Sequence, residues 1–183
     1  MKLASQNENK LRELQAAFPE LEPLQAQHAP EETGETYEEN ARIKARFGHS
    51  LEPREWVLGE DSGIECAALG GGPGIRSARW AEGDQAEALL VRLAGEHDRR
   101  ARMVAVLVAV APTGEELSGE GVLEGTVAPE KRGEAGFGYD PVFVPDGFTQ
   151  TVAELGEEWK HAHSHRARAA KALAEAFARA GRS

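Results

Sequence analysis

At 183 residues, 40% hydrophobic and 28% charged, the chain has the size and composition of one globular domain, residues 1–183, able to bury a sizeable core. Its formal charge of −10 argues against a general nucleic-acid binder and points to a small anion held through a divalent cation and a few local Lys or Arg. The single cysteine, Cys66, excludes an intrachain disulfide, and without an apolar leader or a long apolar run the expectation is a cytoplasmic protein with no membrane partner.

The opening MKLAS is a short strand candidate. It leads through Gln6 and Asn7 into a helix with Leu11, Leu14 and Phe18 at helical spacing, and Pro19 stops that helix. LEPLQA, residues 21–26, reads as an edge strand, because Pro23 has no N–H for a central ladder. HAPEETGE is loop. A second helix is expected from Thr36 to about His49, with Tyr37, Ala41, Lys44 and Ala45 on one face.

WVLGED is the next strand, running into the adjacent carboxylates Glu60 and Asp61 and then into an expected Ser-Gly turn. Neighbouring side chains of a strand point to opposite faces, so two acids there can serve two sides of one site, or simply be solvated in the turn. GIECAAL follows, then the loop GGGPGIRSAR and a helix in GDQAEALLVRLAG with Asp84 near its start. MVAVLVAVAP is apolar on both faces, as a central buried strand is. PTGEE turns it back into LSGEGVLEGTVA, a hairpin partner. EAGFGYDPVFVP is loop and then strand, and SHRARAAKALAEAFARA is a final helix with Ser164 as its cap. The expected fold class is α/β, a mixed sheet flanked by helices.

Five stretches carry chemistry, each with a plainer alternative. SQNENK, residues 5–10, stands at a strand-to-helix junction where free N–H groups favour phosphate and Lys10 adds charge; a capped helix with an exposed lysine reads equally well. Glu31 and Glu32 precede the second helix, where acids are ordinary dipole partners, and Lys44 lies among its small and apolar residues. In GGGPGIRSARW, Arg76 or Arg79 could meet phosphate, or the glycines could mark a bend. GFGYDP offers Phe137 and Tyr139 as a slot for a flat base, or as core beside a turn residue, Asp140. KHAHSHR sets His161, His163 and His165 at alternate positions, a spacing that suits a metal on a strand, while Lys160, His165 and Arg166 could donate to base carbonyls. No nucleophile elbow is visible, which disfavours acyl transfer. Acids, cations and an aromatic slot together favour metal-assisted phosphoryl chemistry on a nucleotide.

Taken in order, ASQNENKLREL, EETGETYEENARIKAR, LGEDSGIECAALGGGPGIRSARW, GEAGFGYDPVF and KHAHSHR resemble the inosine triphosphate pyrophosphatase, or HAM1-like, family over nearly the whole chain. The resemblance implies two lobes with an active site in the cleft between them, a homodimer, and Mg²⁺-dependent hydrolysis of ITP, dITP and XTP to monophosphate and pyrophosphate. It implies that Ser5, Gln6, Asn7, Glu8, Asn9 and Lys10 grip the triphosphate, with Ser62 and Arg79 as further substrate contacts. Asp61, Glu32, Lys44 and Lys10 would be catalytic, and Glu31, Glu60 and Asp61 would ligate the metal. Phe137, Gly138, Tyr139 and Asp140 would form the base pocket, closed by Lys160, His165 and Arg166. Two departures stand out: Glu60-Asp61 where many bacterial members carry Asp-Asp, and Ser-Gln-Asn where many begin Thr-Gly-Asn. A Maf-type nucleotide pyrophosphatase and a nucleotide-binding module without turnover are the alternatives.

Overall fold

The computed structural model describes residues 1–181. Six strands form one sheet in the order β2-β1-β3-β4-β5-β6: β1 (Lys2–Leu3), β2 (Glu22–Pro23), β3 (Val57–Cys66), β4 (Arg100–Val110), β5 (Glu116–Val127) and β6 (Phe143–Pro145). β1 pairs in parallel with both β2 and β3, while β6 runs antiparallel to β5, so the sheet is mixed as expected. Among the described residues five α-helices accompany it: α1 (Glu8–Gln15), α2 (Tyr37–Leu51), α3 (Gln85–Arg92), α4 (Val152–His163) and α5 (His165–Ala180).

Two compact units divide the chain. The first comprises Met1–Asp61, Ala105–Gly121 and the chain from His165 on; the second comprises Ser62–Val104 and Val122–Ser164. The core of the first unit gathers Leu3, Leu14, Leu21, Leu58, Leu107 and Leu173, with α1 packed on α5. That of the second gathers Ile64, Leu89, Leu93, Met103, Leu123 and Phe143.

β4 is buried continuously from Met103 to Val110, the burial its unbroken apolar run calls for. In β5, by contrast, alternate residues are buried, and three of them are glycines, Gly119, Gly121 and Gly125. In the first unit, α5 lies directly on this strand: a Cβ on Gly121 would stand 2.1 Å from the His165 carbonyl oxygen, and one on Gly119 2.4 Å from the Leu173 nitrogen. Gly59 of β3 admits α2 in the same way, its absent Cβ 2.0 Å from the Ala41 carbonyl. The helices approach the strands backbone to backbone because nothing larger than hydrogen intervenes.

Two expectations need correction. No turn follows Asp61: β3 continues through Ser62 and Gly63 to Cys66, so the paired acids lie mid-strand. Residues 152–163 are helical although no helix was expected there, and His161 and His163 lie on that helix rather than on a strand.

The glycine stripe is testable. Gly121→Ala should lower stability by about 2 kcal/mol, since the added methyl meets backbone that cannot rotate away. Glu120→Ala, on the exposed neighbour, should stay within about 0.5 kcal/mol. Urea midpoints at unchanged slope are the measurement.

Candidate active site

α2 begins at a capping box: Thr36 accepts from the Glu39 N–H, and Glu39 reaches back to the Thr36 N–H. Its buried stripe is Tyr37, Asn40, Ala41, Lys44, Ala45 and Gly48, a helical repeat in which two members are polar. Both polar members serve Asp61. Lys44 Nζ donates to Asp61 Oδ1 at 2.8 Å and to the Glu60 carbonyl at 3.0 Å, and lies 2.8 Å from Glu32 Oε1. Asn40, fully buried, points its amide at Asp61 Oδ2 over a long 3.5 Å while its oxygen accepts the Gly34 N–H at 2.9 Å.

Glu60 belongs to a second cluster. Lys10 Nζ lies 2.6 Å from its Oε2, and Arg166 donates to its Oε1 through Nε and Nη2 at 3.1 and 3.0 Å. Arg166 Nη1 also binds Glu13, which stands one turn from Lys10 on α1. Glu60, Glu13 and Arg166 are all buried. Burial alone would raise the pKa of Glu60, but Lys10 and Arg166, with Lys44 behind them, hold it well below the carboxylate range. Burial would likewise lower that of Lys44; the fields of Asp61 and Glu60 and its hydrogen bonds reverse this and keep it charged. Asp61 goes the other way. Burial, aided by Glu60 and Glu32 and opposed by Lys44, raises its pKa. Lys10 and Arg166 thus meet Glu60 and Glu13, while Glu32 and Asp61 both pair with Lys44.

Two carboxylates meeting at one lysine can also take a divalent cation. Among the described residues no group of three or more His, Cys, Asp or Glu is arranged to hold a metal ion. Mg²⁺ does not require one, being ordinarily held by one or two carboxylates together with substrate phosphate and water. Asp61 and Glu32 supply such a pair. Of the other expected ligands, Glu31 is exposed, and both oxygens of Glu60 are engaged by Lys10 and Arg166.

The SQNENK loop is self-capped. Asn7 Oδ1 accepts the N–H groups of Asn9 and Lys10 at 3.0 and 3.2 Å, and Ser5 Oγ accepts that of Asn7 at 3.2 Å. Two N–H groups expected for phosphate are thus already satisfied. Gln6 and Glu8 are exposed, Asn9 and Ser62 half-buried, and Arg79 is exposed beyond the 3-10 turn Gly74–Arg76.

In the second unit, Lys160 and Asp140 form a buried pair at 2.5 Å, and the Lys160 ammonium lies 4.3 Å from the centre of the half-buried Phe137 ring. Asp140 Oδ2 also accepts the Phe137 N–H at 2.7 Å. Gly138 has φ 62°. Tyr139 is a core residue instead of a pocket wall: its hydroxyl donates to the Ser77 carbonyl at 3.0 Å, and burial pushes its pKa up to about 12. In the first unit, the guanidinium of Arg166 bonds Glu60 and Glu13. His165, beside it at the start of α5, is buried. The sequence reading missed Asn40 and Glu13; each lies on the helical face of a residue it did single out, Lys44 and Lys10 respectively.

A model of the Ham1 family matches residues 1–176. The dITP/XTP pyrophosphatase of Bdellovibrio bacteriovorus is 42% identical, with 94% of each chain covered. That of Symbiobacterium thermophilum is 47% identical, covering 91% of this chain and 89% of its own. The solved structure of the Staphylococcus aureus Ham1 protein superposes with a TM-score of 0.85 at 37% identity, covering 98% of both chains.

Adjacent acids should respond oppositely to neutralisation. Glu60→Gln leaves Lys10 and Arg166 without their anion and should cost about 3 kcal/mol at pH 7. Because the folded pKa of Glu60 is depressed, this loss shrinks as pH falls below 4.5. Asp61→Asn should raise the urea midpoint at pH 7, because the raised folded pKa makes an ionised Asp61 unfavourable there. The gain should fade as pH falls through that pKa. Urea titrations in chelator at pH 7 and pH 4 measure both.

Proposed function

The chain belongs to the Ham1 family, and on that premise we propose that it is a nucleoside-triphosphate pyrophosphatase acting on non-canonical purine nucleotides, dITP, XTP and ITP. The observation that carries the proposal is the buried Lys44 of α2 paired with Glu32 and with Asp61, which follows Glu60 on β3, the residue that holds Lys10 and Arg166. A carboxylate with a raised pKa, held in place by Lys44 and Asn40, supports turnover over binding alone. Family membership sets the Maf-type alternative aside.

In this reading water adds to the α-phosphorus, the bond from that phosphorus to the bridging oxygen breaks, and pyrophosphate leaves. Asp61 accepts the proton of the attacking water; its raised pKa brings it closer to working pH, as a general base requires. Lys44 fixes the Asp61 carboxylate through Oδ1 and Asn40 flanks Oδ2, so the base is oriented before substrate arrives. Lys10 is the cation for negative charge on the leaving pyrophosphate. Asp61 and Glu32 are the carboxylates that would hold Mg²⁺, which when bound supplies charge neutralisation at the phosphates and a more acidic water.

Phe137 is the stacking ring for the purine, and Lys160, neutralised by Asp140, is the donor for a 6-carbonyl. Adenine presents an amino group at that position and would oppose donor to donor, a mismatch that discriminates strongly in a site built for the bond. The proposal includes a homodimer, on family grounds, and work in the cytoplasm, where the nucleotide pool lies. Among the described residues no helix is long and apolar enough to cross a membrane.

Pyrophosphate release from dITP and XTP should exceed that from dATP by orders of magnitude and stop on exhaustive chelation. Turnover that survives chelation would remove the divalent ion from the scheme. Asp61→Asn should lower kcat at least about 100-fold, the scale of a lost general base. Phe137→Ala should raise KM for dITP about tenfold or more, since base–aromatic stacking is worth about 1–3 kcal/mol. A monomer in sedimentation at micromolar concentration would contradict the dimer.

A further inference from the structure

α4 is not one continuous helix. Gly156, at φ 85° and ψ 176°, breaks it in a region of backbone space open essentially to glycine alone. The first turn is anchored by the Thr151–Glu154 capping box, and the helix restarts at Glu157. Glu157 and Lys160 stand three apart on the restarted segment and therefore share a face. Glu157 Oε1 accepts the Gly136 N–H at 3.0 Å, and Lys160 Nζ reaches Asp140 Oδ2 at 2.5 Å. Asp140 Oδ2 accepts the next N–H along, that of Phe137, at 2.7 Å. Two consecutive amides are thus held by two carboxylates, one from the helix and one from the loop itself.

The tripeptide they hold needs holding. Gly136 and Gly138, at φ 77° and 62°, flank Phe137 and give it the widest backbone freedom available. Gly136 is also sterically required, since a Cβ there would stand 2.2 Å from Asp140 Oδ2.

We propose that Glu157 is a positioning residue for nucleotide recognition: its hydrogen bond to the Gly136 N–H pins the loop that carries Phe137 and keeps the ring oriented for a purine. This inference rests on the reading of Phe137 as the stacking ring. A ring oriented in advance spares the substrate the cost of ordering the loop. The contact is the same in ground and transition states, so the benefit appears in KM and not in kcat.

Steady-state kinetics of the full chain on dITP, with urea midpoints alongside, test the assignment. Glu157→Ala should raise KM about three- to tenfold, the size of one net hydrogen bond, with kcat within about twofold. Glu157→Gln keeps an oxygen able to accept the Gly136 N–H and should restore KM to within about twofold. An unmoved KM in Glu157→Ala overturns the proposal, whatever the midpoint does. So does a Gln variant as impaired as the Ala variant, which would assign the effect to negative charge beside His161, 3.6 Å away. Phe137→Ala separates the two levels. If it raises KM while Glu157→Ala does not, only the role of Glu157 falls; if it leaves KM unmoved, the stacking reading falls and this inference with it.

Discussion

Burying the carboxylate of Glu60 is the constraint around which the first unit is organised. An ionised carboxylate out of water costs several kcal/mol unless charge and hydrogen bonds replace the solvent. Here the replacements come from two helices far apart in sequence: Lys10 from α1 and Arg166 from the first turn of α5. Arg166 is itself buried and brings in Glu13 as its second anion, which ties α1 to α5 again. Two apolar helices could pack on this sheet in several registers. Four charges that must meet inside allow few.

The alternation of a strand then separates two tasks. Glu60 is directed to the α1 and α5 partners, and Asp61, one residue on, to Lys44 and Asn40 of α2. One carboxylate is fully neutralised and belongs to the architecture. Its neighbour shares Lys44 with Glu32 and is the group proposed for the chemistry. Lys44 connects them, bonding the carbonyl of the first and the side chain of the second. β3 runs on through Ser62 because nothing in that backbone has to turn; the Asp-Ser-Gly composition that reads as a turn is overridden by the ladder on either side.

Helix and strand positions were largely legible, because apolar spacing and punctuation by Pro19, Thr36 and Asp84 are local signals. α4 was not, although its Thr-x-x-Glu start was written out in Thr151 and Glu154. Gly156 interrupts the repeat there, and the buried Lys160 sits where an apolar residue would have marked the stripe. The residues proposed for chemistry, Asp61, Lys44 and Lys10, stand out by type and place. Their partnerships do not: Arg166 and Glu60 lie 106 positions apart, and no periodicity reports which distant acid a buried guanidinium will meet. One short motif thus contributes Arg166 to a buried ion cluster and Lys160 to a contact with the Phe137 ring.

The self-capped loop at Ser5–Lys10 bears on affinity and product release. Asn7 already satisfies two amides, and Lys10 already has a carboxylate at 2.6 Å. Any incoming anion competes with a resident one and gains only the difference between them. On the proposed reading, a triphosphate brings enough charge to share the lysine with Glu60, whereas a fragment carrying less charge competes less well. Glu60 would then weaken the hold on whatever the lysine retains once the chain of phosphates has been cut.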